Sequence, residues 1–107
     1  LLFESLAVRD IRIYSQALGG RVSHYRDSDG LEVDAIVSCG EGTWIACEIK
    51  MGSGALDVAA KNLLRFREKV DTTRVGVPAE LVVITTGDFS YRREDGVLVI
   101  PLSHLGS

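Results

Sequence analysis

The chain has little of what would tie it to an oxidising compartment, a membrane or a polyanion. Its two cysteines, Cys39 and Cys47, make neither a disulfide framework nor a zinc-ligand spacing. They read as buried reduced thiols. No apolar run approaches the ~20 residues that a membrane span needs, and no secretory segment is visible. A cytoplasmic protein that does not engage the membrane is therefore expected. An excess of basic charge is missing too: 12 Lys and Arg stand against 15 Asp and Glu, a net charge of −3 with a pI near 5.3. That balance argues against a strong, autonomous nucleic-acid binder, which carries a basic footprint. Internal repeats and low-complexity tracts are absent as well. The chain opens without methionine inside a helix-like stretch, which reads as a fragment of a longer protein whose charge and binding surface extend beyond it.

What is present suits one globular domain over 1–107, with 46% hydrophobic and 25% charged residues. The chain is organised around LEVDAIVSCGEGTWIACEIKM, residues 31–51. Val33, Ala35 and Val37 alternate with Glu32, Asp34 and Ile36; Ile45, Cys47 and Ile49 alternate with Trp44, Ala46, Glu48 and Lys50. Period-2 alternation marks two strands. Gly40-Glu41-Gly42 is the expected turn, with a left-handed glycine last. If Cys39 faces Thr43, one face pairs Val37 with Ile45, Ala35 with Cys47 and Val33 with Ile49, and is apolar. The other pairs Ile36 with Ala46, Asp34 with Glu48 and Glu32 with Lys50. Opposed carboxylates repel, so the Asp34–Glu48 pair either is tolerated on a solvated face or meets a cation. Magnesium takes one or two carboxylates and keeps sites for water and phosphate oxygens.

Leu1 to Leu18 reads as an amphipathic helix stopped by Gly19-Gly20. Asp10 lies within its apolar stripe with Arg26 as the expected partner, and Glu4 lies at the stripe's edge. Residues 21–27 form a short strand, in which His24 has no partner at ligand spacing, and 27–30 form a turn. After Gly52-Ser53-Gly54, a helix is expected from about Ala55 to Val70, with Leu56, Ala59, Ala60, Leu63, Phe66 and Val70 inward. Lys61 and Arg65 belong to a mixed-charge cluster on it, which offers phosphate contacts or simply a solvated face. Glu80 to Thr86 lacks alternation, as expected of a strand buried on both faces. Tyr91 to Arg93 and Val97 to Ile100 form a hairpin about Asp95-Gly96, and Pro101 begins a last short helix. The expected class is α/β (α+β): a mixed central β-sheet flanked by helices, its hairpin antiparallel and its crossover helix leading to a parallel neighbour.

An acid on the first helix (LFESL), an aspartate on the second strand (LEVDAIV) and Glu-x-Lys on the third (IACEIK) give a pattern that resembles the PD-(D/E)XK nuclease superfamily. That family has the restriction-endonuclease-like αβββαβ core. The stretches LFE, HYRDSDGLEVDAIV, CEIK and VLVIPLSHL look most like the uncharacterised C-terminal domains of prokaryotic AAA-family ATPases. The proline of the motif's name is absent, since position 33 is Val.

The resemblance implies a nuclease-like hydrolase in which Asp34, Glu48 and the Ile49 carbonyl hold Mg2+ (or Mn2+), with Glu4 supporting this ion or a second. Lys50 would position the attacking water and stabilise phosphorane charge. It also implies DNA as a partner, alongside an ATPase domain of the same parent chain, and leaves the oligomeric state open. Two functions stay in view: a metal-dependent nucleic-acid phosphodiesterase, and a catalytically inactive binding or assembly module that keeps the fold.

Overall fold

Six strands form one mixed sheet in the order β1-β2-β3-β4-β6-β5. They are β1 (Arg21–Arg26), β2 (Glu32–Cys39), β3 (Thr43–Lys50), β4 (Glu80–Thr85), β5 (Tyr91–Arg92) and β6 (Leu98–Pro101). Between β3 and β4 a 3-10 turn, Ser53–Ala55, leads into helix α1 (Leu56–Lys69), followed by the single-turn helix α2 (Thr72–Val75). This computed structural model describes residues 9, 21–39, 42–51, 53–70, 72–87 and 89–104. Apart from Arg9, which is helical, the stretch 1–18 expected as a helix, with Glu4 and Asp10, lies outside the described residues. Among the described residues no helix is long and apolar enough to cross a membrane.

The expected α/β class holds. β1–β2, β2–β3 and β5–β6 are antiparallel, and β3–β4 and β4–β6 are parallel. β4, the run without alternation, is buried along its length except at Glu80. It lies between β3 and β6, where both faces of the strand are covered. The hairpin loop closes as expected, with Cys39 opposite Thr43 and Gly42 at φ +80°, a left-handed backbone that costs glycine nothing. Helix α1 buries Ala59, Ala60, Leu63 and Phe66, at the helical spacing the sequence shows. Phe66 meets Tyr25 and Trp44 edge-on, at ring centroid distances of 4.8 and 5.9 Å.

The single-turn helix α2 has no signal in the sequence pattern. Its place is fixed by Trp44, whose indole N–H donates to the carbonyls of Val75 (3.0 Å) and Gly76 (3.3 Å). The Ala79 N–H in turn donates to the Trp44 carbonyl at 2.7 Å. The turn after β1 is tied to α1 by Lys69, whose ammonium lies 2.7 Å from Asp27 and 2.6 Å from Asp29. Asp27 also accepts the backbone N–H groups of Asp29 and Leu31. Its carboxyl is accordingly held down at about 2, chiefly by the Lys69 hydrogen bond.

One expectation of face is overturned. Val33, Ala35 and Val37 were to share a single apolar face with Ile49. Instead Leu31 and Val33 pack with α1, Trp44 and Ala46, whereas Ala35, Val37, Cys47 and Ile49 form a separate cluster with Val82 and Ile84. The cause is a β-bulge. Ser23 pairs with Ile36 and Tyr25 with Val33, so His24 of β1 faces two residues of β2, Asp34 and Ala35. One extra residue reverses the alternation, so the strand changes faces at Asp34.

Candidate functional site

The bulge sits where the β2–β3 ladder stops. From Cys39–Thr43 the antiparallel pairs run to Ala35–Cys47, and among the described residues they go no further. Past that point β3 stays paired to β4 through Lys50, opposite Thr85, while β2 stays paired to β1. The two strands are therefore each held on their outer sides and joined across the gap by side chains. Two hydrogen bonds make the join. The Ile49 N–H donates to Asp34 Oδ2 at 2.9 Å, and the Asp34 N–H donates to Glu48 Oε1 at 3.3 Å. Each carboxylate thus accepts a backbone amide from the opposite strand.

Glu48 is buried, with 5% of its surface exposed, on the face of β3 that meets α1. Burial, first, and the nearby Asp34 carboxylate, second, push its carboxyl up to about 7; Lys50, the Asp34 amide and Asn62 pull the other way without cancelling them. Asn62, on α1, donates from Nδ2 to the Glu32 carbonyl at 2.7 Å, fixing helix to strand beside the acids. Lys50 is half-buried two residues beyond Glu48, on the same face of β3. These groups line a pocket of about 240 Å³ with Gly30, Glu32 and Val58.

Three expected cross-strand pairs, Val33–Ile49, Asp34–Glu48 and Glu32–Lys50, are not ladder pairs among the described residues. Glu32 was to face Lys50, but its carboxylate bonds the Arg26 guanidinium of β1 instead. The divergence of β2 from β3 takes Glu32 to the β1 side. Arg26 is also the partner expected for Asp10, which lies outside the described residues together with Glu4. Lys61 and Arg65 are exposed on α1 and do not line the pocket. Asp34, Glu48 and Lys50 do line one pocket, though not through the ladder pairing expected of Asp34 and Glu48.

Sequence reasoning passed over Asn62 and Thr85. Asn62 is three residues after Ala59, at the edge of α1's inward stripe, and a polar residue there is the one signal that could have found it. Thr85 is 3% exposed at the end of β4, next to Lys50 in the sheet, and its hydroxyl accepts the Gly87 N–H at 3.4 Å. Nothing in a run of ELVVIT distinguishes it.

Chemically the pocket offers two adjoining carboxylates and an ammonium. It also offers the carbonyl of Ile49, which faces the β2 side because a strand residue's N–H and C=O point the same way. Among the described residues no third His, Cys, Asp or Glu completes a metal-binding group. This donor set fits a hard divalent cation that keeps several waters, and does not fit a fully protein-ligated ion.

A family model described as a domain of unknown function (DUF4143) matches residues 1–105. No curated protein matches the chain.

Proposed function

Starting from membership of the DUF4143 family, to which this chain belongs, we propose that the domain is a PD-(D/E)XK-type, magnesium-dependent phosphodiesterase acting on nucleic acid. An ATPase portion of the same parent chain would deliver or gate it. One observation carries the reading: Asp34 and Glu48 are locked to each other's strand where the ladder opens, with Lys50 beside them. The Asp34 carboxylate adds to the cost of ionising buried Glu48, and a divalent cation between them is a ligand that relieves it.

Asp34, Glu48 and the Ile49 carbonyl would hold Mg2+ (or Mn2+), with Glu4 as a further acid. When bound, the ion would lower the pKa of a water and neutralise charge on the phosphate. The protein's own part is positional. The Asp34 and Ile49 amides fix both carboxylates before any ligand arrives. Asn62 holds Glu48 from the helix side. Lys50, half-buried beside the carboxylates, orients the attacking water and meets negative charge developing on phosphorus.

A second reading, a binding or assembly module that cuts nothing, is favoured by the net charge of −3 and by Lys61 and Arg65 lying outside the pocket. Incubation with branched, single-stranded and double-stranded DNA plus Mg2+ or Mn2+ separates the two. Hydrolysis that falls by about 10³ or more in Glu48→Ala and Lys50→Ala supports the enzyme. No hydrolysis of any substrate, together with no calorimetric metal binding, leaves the module.

A further inference from the structure

Where the β2–β3 ladder has ended, the sheet no longer fixes the acids directly, and helix α1 reaches into the opening. Of the described α1 residues lining the pocket, Val58 and Asn62, only the second has a polar side chain. Asn62 stands next to Leu63 and one turn after Ala59, both fully buried, so packing against the sheet holds its backbone in place. Two turns on, Lys69 pins the helix to the turn after β1 through Asp27 and Asp29. The Asn62 amide nitrogen carries two hydrogens and meets two acceptors. One is the Glu32 carbonyl of β2, at 2.7 Å; the other is the Glu48 side chain of β3. A carbonyl and an ionised carboxylate both accept, so the nitrogen of the amide, not its oxygen, faces them. Asn62 therefore stands across the opening with one hydrogen for each strand.

We propose, on the metal-binding reading given above, that Asn62 is the positioning residue of the acidic pocket: its amide bridges the open ladder from α1 and holds the β2 backbone and the Glu48 carboxylate in the relation that lets Glu48 and Asp34 share an ion. Glu48 Oε1 accepts the Asp34 N–H at 3.3 Å, a long bond that by itself restrains the carboxylate little. The terminal torsion of a glutamate is broad, so a carboxylate held at one point still turns. A second hold, from the helix, removes most of that freedom before any ion arrives. A ligand oriented in advance binds its metal more tightly, because less order has to be created on binding. Asn62 acts in this through Glu48 and touches neither ion nor substrate.

Calorimetry with Mn2+ and amide hydrogen exchange of the metal-free protein test this together. Asn62→Leu keeps the branched shape of the side chain and removes both hydrogens. It is expected to weaken Mn2+ binding by about tenfold or more. In the metal-free protein the Asp34 amide, whose acceptor is Glu48, should exchange about tenfold faster. The Ile49 amide, whose acceptor is Asp34, and the α1 amides of Leu63 and Phe66 should keep their rates. A residue that only tied helix to strand would not single out the Asp34 amide. Should Asn62→Leu disturb α1, Asn62→Ala carries the same expectations. The proposal is overturned if the Asp34 amide keeps its rate in both variants, if the Ile49 and α1 amides speed up equally, or if the variants bind Mn2+ as tightly as the unaltered protein. An unaltered protein that binds no Mn2+ overturns the metal-binding reading itself, a result distinct from tight binding that Asn62 does not influence.

Discussion

The two halves of β2 differ more than their sequence does. From Ala35 to Cys39 the strand is an ordinary ladder partner of β3, with Ala35 fully buried and Val37 nearly so on the face away from α1. From Glu32 to Asp34 it belongs to β1, and only side chains join it to β3. The first half is stabilised by what it excludes from water; the second holds two acids in a gap where water, ions or a ligand can enter. The gap concentrates carboxylate charge at a fixed place, and the ladder next to it keeps that place rigid.

One residue marks the boundary, which gives the largest expected effect. Ala35→Asp would put a charge into a fully buried position with no partner, costing about 4 kcal/mol or more and removing the cooperative urea transition. Asp34→Ala, one position earlier, is expected to keep that transition. It should also lower the Glu48 pKa, read by carbon NMR of the carboxyl, without returning it to the ordinary range, because burial outranks Asp34 among the causes. A cooperative Ala35→Asp protein would show that the boundary is misplaced.

If the gap binds a metal, affinity should track the ionisation of Glu48, since a carboxylate ligand must lose its proton first. Affinity for Mn2+ by calorimetry is expected to fall about tenfold per pH unit below pH 7 and to level off above it. A pH-independent affinity would place the ion elsewhere.

Without metal the same group destabilises the fold at high pH. Glu48 ionises near 4.5 when unfolded and near 7 when folded, so between those values the folded protein holds the extra proton. Stability is then full below about pH 4.5, declines as pH rises toward 7 and is flat beyond. Glu48→Gln is therefore expected to raise unfolding stability by ~2 kcal/mol at pH 8 and to change little at pH 4, as measured by urea midpoints in chelator. Equal effects at both pH values would mean that burial, not charge, controls the site.

Much of this was legible from alternation and turn chemistry: the hairpin from Cys39 to Thr43, the inward stripe of α1, the two-sided burial of β4, and the meeting of Asp34, Glu48 and Lys50. What was not legible is the bulge. A bulge changes no residue type; Val33, Ala35 and Val37 are equally apolar whichever face they take, so the sequence carries no trace of the face change. Glu32–Lys50 failed for that reason, since pairing was extrapolated through a gap. Asn62 and Thr85 escaped because their role depends on which strand end they abut, a tertiary fact.

The smallest expected effect lies just beyond the second half, at the turn that holds β2 against β1. Lys69 binds Asp27 and Asp29 from the end of α1, and its ammonium is partly exposed, so water competes for it. Asp27 is depressed to about 2, chiefly by that contact, from an ordinary value near 3.8. A depressed carboxyl stabilises the fold above the unfolded value and loses that contribution as pH falls through the folded one. Lys69→Ala should thus lower the urea midpoint slightly at pH 7, by less at pH 3, and not at all below pH 2. Because Asp27 keeps the Asp29 and Leu31 amides, the turn itself should persist, and with it the position of Gly30 and Glu32 at the rim of the acidic pocket. A Lys69→Ala protein that lost its metal affinity would show instead that the helix end, and not the backbone of the turn, sets the width of the gap.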